Sequence, residues 1–131
     1  MMILLDTSYL ILLARGSPRA EKVLDLADKE GVALTSISYF EIFRSRRRMG
    51  RSEFRYFTHL FSVYPVLSLD ITAADEASRI QYMLEKAGRP VNILDVLIAG
   101  IMKANGIEKI ATSDKDFLEI AKIVDIDVLM V

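Results

Sequence analysis

The chain has 131 residues, 52% of them apolar and 27% charged, with a formal net charge of −1. That size predicts one domain with a core of its own, spanning residues 1–131, and the composition excludes a disordered chain. A near-neutral balance creates no global field for nucleic acid or membranes, so any such preference must come from a local patch. The absence of cysteine excludes disulfides, thiol nucleophiles and thiolate metal sites, and the single histidine, His59, excludes a multi-histidine zinc site. No apolar run approaches the ~20 residues of a membrane span and no cleavable leader is read at the start, so a cytoplasmic protein with no membrane partner is expected.

The run Met2-Ile3-Leu4-Leu5 ends on Asp6-Thr7-Ser8, which predicts a buried strand, an acid at its end, and a helix over Tyr9 to Ala14. After Gly16-Ser17-Pro18, apolar Ala20, Val23, Leu24, Leu26 and Ala27 recur at helical spacing among charged residues until Gly31. Val32 to Thr35 is a second strand. Ser38-Tyr39-Phe40-Glu41 has the form of a capping box opening a third helix, which runs into Arg44, Arg46, Arg47 and Arg48 before Gly50. A fourth helix places Phe54, Phe57, Leu60 and Phe61 on one face and ends at Pro65, with Val66 to Leu69 as a short strand. Thr72 to Ala87 is a long amphipathic helix closed by Gly88-Arg89-Pro90, and Ile93 to Ala104 is apolar almost all round, the pattern of a buried helix. Ile110 to Thr112 is a strand, Asp114 to Ala121 a helix and Asp127 to Val131 a final strand. Strands alternating with helices predict an α/β fold: a three-layer α/β/α sandwich around a mostly parallel five-stranded sheet.

Acids recur at the helix starts. Asp6 follows the first strand, and Glu41 lies in the first turn of the helix after the second. Asp95 lies three residues after Asn92 in the buried helix, and Asp114 and Asp116 open the helix after Ile110-Ala111-Thr112. Each alone has an ordinary explanation as an N-cap or half of a capping box. Together they say more. Helices that follow strands of a parallel sheet start at one edge, where ligands gather, so Asp6, Glu41 and Asp114 are expected to meet there. Asp95 is the one charge in an apolar segment, and a buried lone carboxylate is costly unless paired or metal-bound. Neither Asp6 nor Asp95 has a Lys or Arg within three residues. Clustered carboxylates raise one another's pKa values; a divalent cation relieves this, and all-oxygen ligands suit Mg²⁺ or Mn²⁺.

In this order and spacing, four pieces resemble the PIN-domain ribonucleases, and in size and layout the VapC-type toxins of toxin–antitoxin pairs. They are Asp6-Thr7-Ser8, Ser38-Tyr39-Phe40-Glu41, Asn92-Ile93-Leu94-Asp95-Val96-Leu97-Ile98-Ala99 and Thr112-Ser113-Asp114-Lys115-Asp116-Phe117. The resemblance implies an Mg²⁺- or Mn²⁺-dependent endoribonuclease on a five-stranded parallel sheet. Asp6, Glu41, Asp95 and Asp114 would be its acidic catalytic and metal-site residues, with Thr7 and Thr112 as hydroxyls that orient carboxylates or water. Many family members carry Thr-x-Asn-x-x-Asp-Phe at the last motif; the shorter spacing here leaves both Asp114 and Asp116 open as the metal-facing acid. The resemblance also implies an RNA substrate, a small antitoxin partner and a homodimer.

Positive charge is concentrated between Arg44 and Arg55, where six arginines face one acid, Glu53. Arginine forks suit phosphates, which makes Arg44, Arg47, Arg48 and Arg51 candidate RNA contacts; a solvated helix end is the plain alternative. Tyr39, Tyr56 and Tyr64 are either base-stacking or core residues. The Phe54/Phe57/Phe61 stripe either closes the core or lines a groove for an amphipathic partner helix. Two other readings predict different residues. A signalling receiver domain needs paired acids after the first strand and an Asp near the middle, but no Asp occurs between Glu30 and Asp70. A non-catalytic PIN-like RNA-binding or assembly module would be expected to have lost some of the acids, and all are present.

Overall fold

A computed structural model of the chain describes residues 2–131; Met1, at the edge of the expected 1–131 domain, lies outside the described residues. Five strands form one parallel sheet: β1 (Ile3–Leu5), β2 (Val32–Thr35), β3 (Val66–Leu67), β4 (Lys109–Thr112) and β5 (Asp127–Met130). Their order is β3-β2-β1-β4-β5. β1 is central, with Ile3 opposite Val32 on one side and Lys109 on the other. The helices are α1 (Thr7–Ala14), α2 (Pro18–Glu30), α3 (Ser36–Phe43), α4 (Arg51–Val63), α5 (Ile71–Lys86), α6 (Ile93–Ala104) and α7 (Asp116–Ile120). This is the expected three-layer α/β/α architecture with its five-stranded parallel sheet.

The layers follow from the two-residue period of a strand. Ile3, Leu5, Val32 and Leu34 join Tyr9, Leu10, Leu13, Phe57 and Leu60 in a core under α1, α2 and α4. Leu4, Ala33 and Ile110 join Ala77, Ile80, Val96, Ile98 and Phe117 in a second core under α5, α6 and α7. Both faces of the sheet are covered, so β1 reads as an unbroken apolar run rather than as an alternating one. No helix among the described residues is long and apolar enough to cross a membrane.

Local chemistry sets the helix starts. Ser17 accepts a bond from the Ala20 amide ahead of Pro18, Asp70 accepts from the Ala73 amide at 2.9 Å, and the Asn92 side chain accepts from the Leu94 amide at 2.8 Å. Gly31 turns α2 into β2 at a φ of 101°, a left-handed value that favours glycine. At Gly100 the absence of a side chain lets α6 press against α5.

Several boundaries differ from the sequence-based expectation. The capping box at Ser38 does not form: the helix begins at Ser36, three residues earlier than a Ser38 cap implies, and Thr35 is its cap, accepting from the Ser38 amide at 3.1 Å. Thr35 ends a strand in extended conformation, which is what a cap requires, and that conformation is not visible from residue type alone. α3 stops at Phe43, so the arginine run lies beyond it as a separate 3₁₀ turn over Arg46–Arg48. α1 starts at Thr7 rather than Tyr9, β3 is only two residues long, and α7 starts at Asp116, leaving Asp114 in the preceding loop.

Candidate active site

β1 delivers Asp6 to the carboxyl edge of the sheet, where its amide donates to the Ala111 carbonyl at 3.0 Å and so sits beside the end of β4. Asp6 occupies the N-cap position of α1, yet its side chain caps nothing. Instead Oδ2 accepts from Thr112 Oγ1 at 2.8 Å and from Ser8 Oγ at 2.9 Å. The same two hydroxyls accept from the loop that follows β4: Thr112 Oγ1 from the Asp114 amide at 2.9 Å, Ser8 Oγ from the Ser113 amide at 3.0 Å. Asp6 is only 2% exposed, and its Oδ1 is buried without a partner.

On the other side of Asp6, the Thr7 hydroxyl reaches Glu41 Oε1 at 2.7 Å and the buried Ser38 Oγ at 2.9 Å. Glu41 is half-buried and also walls a cleft of about 510 Å³ shared with Ile11, Arg15, Ser45, Tyr56 and Phe57.

α6 enters the same edge from the second layer. Asp95, in its first turn, is 5% exposed, and its Oδ2 is the second buried oxygen without a partner. The Asn92 amide donates to Asp116 Oδ2 at 2.9 Å, and the Asp116 amide donates to Asp114 Oδ1 at 2.9 Å. These bonds hold the start of α6 against the start of α7. As a result Asp95, Asp114 and Asp116 each offer a carboxylate oxygen, all within 4.8 Å of one another. Both candidates at the last motif are therefore present in the cluster.

Among the described residues no cation forms an ion pair with these acids. The ion pairs among the described residues use Asp75, Glu119 and Glu30, and none of the five clustered or flanking acids. Burial pushes Asp95 up to about 9, helped by a hydrogen bond with Asp114 that favours the neutral form and by the charges of Asp6, Asp114 and Asp116. Burial also pushes Asp6 up to about 6, against the bonds from Thr112 and Ser8 that lower it; Glu41 adds a smaller upward push. Three converging carboxylates, one of them carrying an orphaned buried oxygen, and a second such oxygen on Asp6 fit a hard divalent cation, whose preferred ligands are oxygen.

The arginine run follows the C-terminal end of α3. Arg44 stacks over Phe40 at 5.9 Å, and Arg46 lies over Phe43 at 5.3 Å and Phe54 at 5.9 Å. Arg47, Arg48 and Arg51 are exposed, and none of these arginines forms an ion pair among the described residues. The aromatic stripe divides: Phe57 is core, Phe54 is exposed and Phe61 half-buried. Tyr39 packs on Phe43 and Phe61, while the Tyr64 hydroxyl donates to Asp28 at 2.8 Å. His59 is exposed on α4. Sequence reasoning missed Ser8 and Ser38. The signal for Ser8 was present, since a hydroxyl two residues after a strand-end acid can fold back onto it.

A parallel α/β sheet whose carboxyl edge carries an all-carboxylate cluster defines a class of acid-lined α/β domain. The PIN domain family model matches residues 3–123, and the chain belongs to that family. No curated protein sequence matches the chain. Among solved structures, the chain is similar to VapBC2 from Rickettsia felis bound to a DNA fragment from its promoter, with 16% identity and a TM-score of 0.84, covering 100% of this chain and 99% of that one. It is similar also to DNA-bound VapBC from Salmonella typhimurium, at 20% identity and a TM-score of 0.80, over 99% and 98% of the two chains. A third is VapC20 from Mycobacterium tuberculosis, described as a sarcin–ricin loop cleaving toxin, at 22% identity and a TM-score of 0.69, over 95% and 98%.

Proposed function

We propose that this chain, residues 1–131 as a single PIN-like domain, is a metal-dependent endoribonuclease and the toxin of a toxin–antitoxin pair. The observation that carries the reading is the convergence of Asp95, Asp114 and Asp116 within 4.8 Å, with the charge of Asp6 acting on Asp95 and no ion pair to these acids among the described residues. Asp6, Asp95, Asp114 and Asp116 are the residues that would hold Mg²⁺ or Mn²⁺, with Glu41 at the flank. When bound, such an ion supplies Lewis acidity: it activates water near neutral pH and neutralises charge on a scissile phosphate.

The protein's own groups prepare that chemistry. Thr112 holds one oxygen of Asp6 and leaves the other free, and Thr7 fixes the Glu41 carboxylate. The backbone bonds through Asn92 and Asp116 set the spacing of the last three acids. Arg44, Arg47, Arg48 and Arg51 supply the positive charge for RNA phosphates, beyond the Glu41 end of the site. RNA as substrate is supported by the sarcin–ricin loop named for the M. tuberculosis neighbour.

The VapBC neighbours support a small antitoxin as partner. The cleft beside Glu41, lined by Ile11, Tyr56 and Phe57, suits an apolar segment of that partner, and a cation or bulky side chain placed over the acids would block them. A homodimer and a cytoplasmic location complete the reading.

The test is cleavage of a pool of labelled structured RNAs by purified protein. Cutting with Mg²⁺ or Mn²⁺ that EDTA and Asp95→Asn both abolish is expected. Cutting that survives Asp95→Asn would remove Asp95 from the site, and protein that takes up no Mn²⁺ would overturn the metal reading.

A further inference from the structure

Three hydroxyls meet the acids, and Ser8 is the one with the most demanding position. Its oxygen lies 2.9 Å from Asp6 Oδ2, 3.1 Å from Thr112 Oγ1 and 3.0 Å from the Ser113 nitrogen. Hydrogen direction follows from donor chemistry. A backbone N–H only donates, so Ser8 Oγ accepts from Ser113 and its single proton remains for a different acceptor. Thr112 Oγ1 is in the same situation, accepting from the Asp114 amide. The acceptor common to both hydroxyls is Asp6 Oδ2, a carboxylate oxygen with room for two donors. The Ser8–Thr112 approach is then a by-product of two hydroxyls crowding one oxygen.

We propose that Ser8 is a positioning residue for Asp6. With Thr112 it saturates Oδ2, so that Oδ1 alone is left for a cation, and it ties that carboxylate to the loop carrying Asp114. The proposal rests on the carboxylate-cluster reading of the site. Two features separate it from an ordinary helix-start serine. Ser8 caps no amide of α1, its bonded amide being Ser113, 105 positions away. The oxygen left over, Asp6 Oδ1, is buried and unpartnered. A hydroxyl that served only the fold would have no reason to leave one there.

Three preparations of the full chain test this: wild type, Ser8→Ala and Ser8→Thr. Mn²⁺ is titrated calorimetrically into each, and amide hydrogen exchange is followed on the metal-free proteins. Ser8→Ala is expected to weaken Mn²⁺ binding by about 10-fold or more, the scale for losing a hydrogen-bond partner of a metal ligand. Ser8→Thr, which keeps the hydroxyl, restores most of that affinity. Exchange at Ser113 accelerates in Ser8→Ala while the amides of β2 keep their protection. Mn²⁺ affinity unchanged in Ser8→Ala, or a Ser8→Thr variant as weak as Ser8→Ala, would overturn the role of Ser8. A wild-type protein that takes up no Mn²⁺ would overturn the metal reading itself. Should Ser8→Ala not fold, wild-type exchange decides: a Ser113 amide as labile as an open loop sinks the clamp, and a protected one sustains it.

Discussion

Thr7 Oγ1 lies 2.7 Å from Glu41 Oε1, joining the first turn of α1 to α3 across 34 positions of chain. The contact explains how a half-buried acid on a neighbouring helix is held toward the sheet edge. It also gives adjacent Thr7 and Ser8 different tasks. They sit about 100° apart around the helix, so Thr7 faces Glu41 and Ser38 while Ser8 faces Asp6 and β4.

Thr7→Val keeps the shape of the side chain and removes the donor. It is expected to cost about 1–2 kcal/mol, because Ser38 and Glu41 lose a partner in a buried setting, whereas Thr7→Ser stays close to wild type. Urea unfolding checks this; a midpoint unmoved by Thr7→Val would show that water replaces the hydroxyl without loss.

The raised acids make the metal-free protein sensitive to alkali. Asp6 stands at about 6 and Asp95 at about 9, both against 3.8 for the unassisted carboxyl. Between those limits the folded state holds protons that the unfolded chain has released. The stabilisation is therefore full below about 3.8 and is lost as pH rises, through about 6 for Asp6 and on to about 9 for Asp95. In EDTA, Tm is expected to fall across this window. Asp95→Asn should flatten the fall and raise Tm at its alkaline end. Added Mn²⁺ should help most at that end too, where the acids are charged. A metal-free Tm that climbs with pH over the same range would contradict the burial of these two carboxyls.

Gly100→Ala tests the seat of α6. A Cβ there would stand 2.6 Å from the Ala73 carbonyl oxygen and 2.8 Å from the Ala77 nitrogen, both backbone atoms that cannot swing aside. The helices must part, at a cost of about 1–3 kcal/mol, and the start of α6 moves with them. Calorimetric unfolding and Mn²⁺ binding measured together should show both falling. Full stability with intact Mn²⁺ binding would mean that α5 slides freely on α6.

Arg44→Ala combined with Arg47→Ala removes two exposed cations from the run beyond α3. RNA binding is expected to weaken, and its log–log salt slope to shrink by roughly 1–2, while Mn²⁺ binding stays as it was. An unaltered slope would take the patch out of the proposed substrate path.

The outline of the fold was legible because both faces of the sheet are buried. Ile3-Leu4-Leu5 and Val32-Ala33-Leu34 each fill two cores and can hardly read as anything but strands. Of the acids, Asp95 stood out as the one charge in an apolar helix. The set that converges within 4.8 Å, however, is Asp95, Asp114 and Asp116 rather than the expected Asp6, Glu41 and Asp114. What could not be read depends on partners far along the chain. Ser38 looks like a cap until Thr35 is seen ending a strand. The place of Asp116 beside Asp95 follows from the Asn92 amide, which binds Asp116 from the start of another helix. Likewise Ser8 acquires its role only when β4 brings Thr112 and Ser113 alongside.

The strand order has a consequence for how the molecule comes into being. Asp6 is made well before Thr112, which holds its carboxylate and follows 106 positions later. Until Lys109–Thr112 has been synthesised, β1 has β2 on one side and an open edge on the other. A growing chain on the ribosome thus owns Asp6 and Glu41 long before it owns their arrangement. Closing so large a loop is slow as well as late. Translation therefore acts as a timer: the carboxylate set cannot exist before β4 does, and a chain cut short ahead of β4 never acquires it.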